Sequence, residues 1–242
     1  MWKRELLSLL IVLLFITACQ APSEYRSSIE YPEIPWNSTP EFVMNELGLK
    51  DAETVTTKAE LGKGKIAVYE DENLYTLYAA DFDAFGENVA YAEFRFDNTG
   101  SSGQLENGLA NIVLQFNDSA DVNTIISRVE DRYGKGVKEY ITTAQGMEPE
   151  TVTATEYETF WVSDANLGNV LSEEDQDALL KYIRSERNSE FSDETFSRAL
   201  SNHATVVTMD TKAGREDGSI VLYLNATEFT YFIQLLELAK TK

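Results

Sequence analysis

Hydrophobic residues recur along this chain with two periods, and the switches between them outline a fold. In residues 89–96, Ala90, Ala92, Phe94 and Phe96 fall on one face of an extended chain, with Tyr91, Glu93 and Arg95 on the other. Residues 109–116 repeat the pattern with Ala110, Ile112, Leu114 and Phe116. A period of two marks half-buried antiparallel strands. Between them, residues 98–108 carry Gly100, Ser101, Ser102 and Gly103 and read as a hairpin loop. Strands at 65–70 and 74–80 flank the turn-like Asp71-Glu72-Asn73. Strands at 137–143 and 151–162 flank Gly146-Met147-Glu148-Pro149, and strands at 205–209 and 220–224 close around the polar loop 211–219.

The other period is that of a helix. Val122, Ile125, Ile126, Val129 and Tyr133 share one helical face; Asp118 or Ser119 is the expected cap, and Gly134 the expected end. Ser38-Thr39-Pro40-Glu41 predicts an earlier helix with Ser38 as N-cap and Glu41 completing a capping box. That helix has Val43, Met44 and Leu47 on its apolar side and Gly48 behind it. Ser172 opens a helix whose first turn is Glu173-Glu174-Asp175, acids placed at its positive end. Ser192 opens another, with Phe191 and Phe196 spaced as a hydrophobic staple. The last helix is expected to be capped by Asn225, with Glu228 at its third position and Phe229, Phe232, Ile233 and Leu236 on its apolar face.

Strands mostly follow strands across short turns, which predicts an α+β fold. It would be an antiparallel sheet with helices packed mainly on one face, ending in a hairpin and a helix. One globular domain over residues 36–242 is the expectation. Two tandem domains split near residue 145 are the alternative.

The N-terminus follows a different pattern. Lys3 and Arg4 precede 13 mostly apolar residues, 6–18, and then Cys19, the single cysteine of the chain. As a helix this run spans roughly 20 Å, short of a ~30 Å hydrocarbon core. A short apolar region behind a positive one reads as a secretory signal. Ile16-Thr17-Ala18-Cys19 sets a small residue before the thiol. This resembles the signal peptide and lipobox of bacterial lipoproteins, with Ile16 where leucine is commoner. The resemblance implies removal of residues 1–18 and a diacylglyceryl group on Cys19, often with an N-acyl chain. An uncleaved anchor and a plain cleaved signal are the alternatives. Residues 19–35 hold Pro22, Pro32 and Pro35 among Ser and Glu. They read as a flexible tether with a reach of roughly 20–25 Å.

Trp36-Asn37-Ser38-Thr39-Pro40-Glu41-Phe42-Val43, then strands, then a helix ending Tyr133-Gly134-Lys135-Gly136, is similar to a class of small bacterial lipoprotein domains. These have the fold of BamE and the β-lactamase-inhibitor protein. The resemblance covers roughly residues 36–162, and Trp161 on a late strand fits its layout; the helical stretch 172–204 departs from it. It implies protein binding and carries over no catalytic residue.

Charge narrows the partners. The chain has 20 basic and 41 acidic residues. Without Lys3, Arg4 and Glu5, 18 and 40 remain, a net charge of −22. Nucleic acid is therefore not an expected partner, since phosphate binding needs clustered Lys and Arg. An acylated Cys19 leaves no free thiol, and His203 is the single histidine, so neither a Cys/His pair nor a His-rich zinc site is available. Asp81-Phe82-Asp83-Ala84-Phe85-Gly86 starts like a calcium loop, but Phe85 and Ala92 stand at two ligand positions. It is expected to be a turn with phenylalanines in the core. No nucleophile elbow, phosphate loop or dinucleotide fingerprint occurs.

No catalytic residue, metal or cofactor is expected. Trp36 and Trp161 are the aromatics that could stack on a ligand, with core packing as their default. The reading that follows is a lipid-anchored, extracytoplasmic, non-enzymatic domain that binds an envelope protein or component. A hydrolase of wall polysaccharide acting through paired carboxylates is the alternative. A deep cleft with two carboxyl groups would favour the enzyme, and a shallow aromatic sheet face would favour binding.

Overall fold

Strand after strand of this chain joins one hydrogen-bonded sheet in the computed structural model. The structure describes residues 25–27, 30–31, 34–71, 74–97, 108–140, 157–162, 166–187, 189–202, 206–210 and 220–241. The signal stretch 1–18, Cys19, His203 and the loops expected at 98–107, 146–149 and 211–219 lie outside the described residues.

The strands are β1 (Thr54–Val55), β2 (Ile66–Asp71), β3 (Leu74–Ala79), β4 (Phe82–Ala84), β5 (Glu87–Asp97), β6 (Gly108–Phe116), β7 (Val137–Tyr140), β8 (Tyr157–Val162), β9 (Val206–Asp210) and β10 (Val221–Asn225). Their order across the sheet is β1-β2-β3-β5-β6-β10-β9-β8-β7, with β4 paired to the start of β5. β1 runs parallel to β2, and the other pairs are antiparallel. Helices α1 (Pro40–Glu46), α2 (Leu61–Gly64), α3 (Val122–Tyr133), α4 (Leu167–Val170), α5 (Glu173–Glu186), α6 (Asp193–Ser201) and α7 (Thr227–Lys240) and a 3-10 turn (Lys58–Glu60) complete the described elements. The fold is α+β. At its middle, Val221–Asn225 of β10 pairs with residues 111–115 of β6. The sheet is thus continuous across the point near residue 145 where a division into two domains was the alternative.

One face of the sheet is the core. Leu77, Ala92, Phe94, Phe96, Ile112, Leu114, Phe116, Leu222 and Leu224 are all buried there. α7 packs on β5 and β6, and α5 packs on α7. A helix between two layers must be apolar on more than one side, and Phe229, Ile233, Leu235, Leu236 and Leu238 are all buried. Its two buried polar residues are satisfied by strand carbonyls. The Thr230 hydroxyl donates to the Leu109 carbonyl at 2.8 Å, and Gln234 Nε2 donates to that of Asp97 at 2.8 Å.

Several local expectations shift. The N-cap of α1 is Thr39, whose hydroxyl accepts from the Phe42 amide; Ser38 is buried and donates instead to the Pro35 carbonyl at 2.6 Å. Asp121, rather than Asp118 or Ser119, caps α3 by accepting from the Asn123 amide. Ser172 and Ser192 cap α5 and α6 as expected, and the rings of Phe191 and Phe196 meet edge to face at 6.3 Å. In β5 the pairing slips between Val89 and Tyr91. This bulge turns Val89 into the core and leaves Ala90 exposed, so Ala90 is not part of the buried row predicted for it.

The largest correction is at the N-terminal side. The packed fold does not begin at Trp36. Tyr31 is 4% exposed and meets Phe85 and Phe94 edge to face, both at 6.1 Å; Ile34 is buried beside it. Glu30 is buried, pairs with Arg26, and accepts from the Ser27 amide at 3.2 Å. Its carbonyl accepts from the Tyr133 hydroxyl of α3. Composition rich in proline and serine concealed two apolar side chains, Tyr31 and Ile34, that do bury enough surface to dock.

Candidate functional site

The second face of the sheet presents what the first does not bury. From β3, β5 and β6 it carries Thr76 and Tyr78, Tyr91, Glu93 and Arg95, and Asn111, Val113 and Gln115, aligned by strand register. Tyr69 of β2 and Tyr223 of β10 extend the row on either side. Tyr69 is 53% exposed and Tyr223 38% exposed, and these two lie among the largest exposed hydrophobic side chains of the described residues.

The chain between β1 and β2 folds over one corner of this face. Leu61 of α2 packs with Ala67 and Ala80, and Val55, Tyr78 and Tyr91 surround them as a second small core. The 3-10 turn Lys58–Glu60 brings Lys58 above the stacked rings of Tyr78 and Tyr91, which lie 6.0 Å apart. The Lys58 ammonium sits 4.9 Å and 4.7 Å from their centres, within cation–π range.

Glu93 is the electrostatic centre. Its residue exposure is only 9%, yet it is fully partnered. Lys58 Nζ donates to Oε1 at 2.9 Å, and so does the Tyr91 hydroxyl at 2.5 Å. Arg95 donates to Oε2 through Nε at 3.0 Å and Nη2 at 2.5 Å. Burial alone would raise the carboxyl pKa. The hydrogen bonds from Tyr91, Arg95 and Lys58 outweigh it and hold the group at about 2. Burial and the Glu93 charge in turn push the Tyr91 phenol upward. In this cluster one buried carboxylate is shared by two cations.

Such a group is a fixed charge rather than a proton donor. A general acid works best with a pKa near the operating pH, and about 2 is far below that. No cluster of His, Cys, Asp and Glu with metal-holding geometry occurs among the described residues. Two shallow hollows of about 500 and 550 Å3 lie elsewhere, one against Phe85, Arg128, Asp131 and Arg132, the other against Asp177, Lys181 and Arg184. Neither is a deep cleft between two carboxylates.

The residues expected from sequence lie away from this face. Trp36 is fully buried in the main core, so it offers no stacking surface. Trp161 stands on β8, and its side chain is outside the described residues. Cys19 is outside them as well. Asp81-Phe82-Asp83-Ala84-Phe85-Gly86 forms the β4–β5 hairpin, with Phe85 and Gly86 at φ 50° and 81° in its two-residue turn. Phe85 is buried, and Asp81 pairs with Lys65 at 3.0 Å. Tyr91, Glu93 and Arg95 were legible as an outer face from alternation alone. Lys58 was not, because it arrives through β1 and the 3-10 turn, which no periodic pattern marks.

A second charged cluster lies on the helical side. The Tyr25 hydroxyl donates to Asp175 Oδ2 at 2.9 Å in the first turn of α5. Lys240, in the last turn of α7, reaches the Tyr25 oxygen at 2.5 Å and Asp175 Oδ1 at 2.8 Å. Burial, together with Asp175, raises the Tyr25 phenol to about 12 against the opposing pull of Lys240.

Comparison with family models, with characterised proteins and with solved structures gave no match. No helix among the described residues is long and apolar enough to cross a membrane.

Proposed function

We propose that this chain is an exported lipoprotein, acylated at Cys19, whose α+β domain binds an envelope protein or component through the second face of its sheet. The anchor rests on Lys3, Arg4, the apolar run 6–18 and the sequence Ile16-Thr17-Ala18-Cys19. One observation carries the binding reading: exposed Tyr69 and Tyr223 flank the Glu93 cluster on a sheet face that α2 and the 3-10 turn cover only at one corner. Tyrosine supplies large contact area with few rotatable bonds, and Arg95 adds a planar donor; both are favoured at interfaces. The polysaccharide hydrolase alternative draws no support from Glu93, which is held ionised and has no second carboxylate among its hydrogen-bond partners.

The test has two arms. Cys19→Ser should abolish lipid labelling and release the domain from membranes. Retention of that variant through carbonate washing would reject the anchor. Photo-crosslinking side chains placed at Tyr69 and Tyr223 in intact envelopes should give a discrete adduct that a probe at exposed Glu194 of α6 does not give. Equal adducts from both sides would reject the face.

A further inference from the structure

We infer that the anchor holds the helical side of the domain toward the bilayer and turns the tyrosine face away from it, toward a partner reached through the aqueous space. The inference rests on the lipidation of Cys19 proposed above. It follows from how Tyr25 is held.

Tyr25 is fixed to two helix ends at once, through Asp175 of α5 and Lys240 of α7. From there Glu30 is held to Tyr133 of α3, and Tyr31 inserts between Phe85 and Phe94. The leash available between Cys19 and Tyr25 is therefore at most the five intervening residues and not the 17 residues from Cys19 to Pro35, and it spans at most roughly 20 Å.

The attachment point is on the far side from Tyr69 and Tyr223. α7 packs on β5 and β6 of the core face, α5 packs on α7, and Tyr25 is bonded to the first turn of α5 and the last turn of α7. That sets Tyr25 at least one packed layer, about 10 Å, behind the mid-plane of the sheet, with the tyrosine side chains beyond its other surface. To bring the tyrosine face against lipid, the leash would have to pass around a sheet edge and across that depth, and it is too short to do both. Exposed Glu173 and Glu174 beside Asp175 repel anionic headgroups, so proximity is imposed by the leash and not by adhesion.

The experiment uses the lipidated full chain in phosphatidylcholine vesicles carrying a quencher on the lipid headgroup. Acylated Cys19 leaves introduced thiols as the sole labelling sites. A fluorophore on Glu174→Cys should be quenched at least about threefold more than one on Tyr69→Cys or Tyr223→Cys, given the sheet and its helix layer between them. A Gly-Ser insertion of about 20 residues between Glu24 and Tyr25, long enough to exceed the domain radius, should erase the contrast. Equal quenching in the uninserted protein, reversed quenching, or a contrast that survives the insertion would overturn the orientation. Failure of lipidation is seen separately, as loss of vesicle flotation before any quenching is read.

Discussion

The two faces of this sheet are built from the same strands, one residue out of step, and they are held by different forces. On the covered face Ala92, Phe94, Phe96, Ile112, Leu114 and Phe116 have almost no exposure and pack beneath α7. Stabilisation there scales with apolar area removed from water, and every methylene counts. On the other face Tyr91, Glu93, Arg95, Val113 and Gln115 alternate with them. Order there comes from a partnered charge whose cations, Lys58 and Arg95, remain about half exposed. One face spends its side chains on folding. The other packs Tyr78 and Tyr91 at one corner but keeps Tyr69 and Tyr223 in water, where folding gains little from them.

The comparison is broken most easily at Phe94. It is fully buried and meets Tyr31 and Phe82 as ring neighbours. Phe94→Ala should cost about 3–5 kcal/mol in urea denaturation. Tyr31→Ala should cost about 3 kcal/mol, because its ring is core despite its place in a proline-rich stretch. A loss below ~0.5 kcal/mol would return residues 25–35 to the status of a tether.

Glu93→Gln sharpens the contrast between area and charge. It should cost about 1–3 kcal/mol at neutral pH, less than a core truncation, since Lys58 and Arg95 can rehydrate. The sign with pH is fixed by the direction of the shift. The Glu93 pKa in the folded chain is lowered from its ordinary 4.5 to about 2, so its stabilisation is fully present above 4.5. That stabilisation fades as pH falls from 4.5 toward 2, and the stability gap between the wild type and Glu93→Gln should close over that window. A gap unchanged at pH 2.5 would mean that Glu93 gains nothing from its three partners.

Much of the covered face was readable from alternation, and much of the other was not. The rows of β5 and β6, the helical face of α3, and the caps Ser172 and Ser192 follow from local chemistry within a turn or two. The bulge at Ala90 depends on how β5 pairs with β6, which no single-strand pattern contains. Asp121 took the cap of α3 from Asp118 because Asp118-Ser119 forms a separate turn before the helix. Composition misread residues 25–35, because Tyr31 gains its partners, Phe85 and Phe94, from more than 50 residues downstream. The Glu93 cluster was half visible: its β5 members alternate, while Lys58 comes from an irregular excursion set in place by Leu61 against Ala67 and Ala80.

The smallest expected effect on folding is also the most direct test of the account. In equilibrium urea denaturation, the double variant Tyr69→Ala, Tyr223→Ala should unfold within about 0.5 kcal/mol of the parent, because exposed side chains away from the core contribute little to stability. A loss of about 3 kcal/mol or more, comparable to Tyr31→Ala, would contradict it: both faces would then serve the fold, leaving no tyrosine surface to spare for a partner.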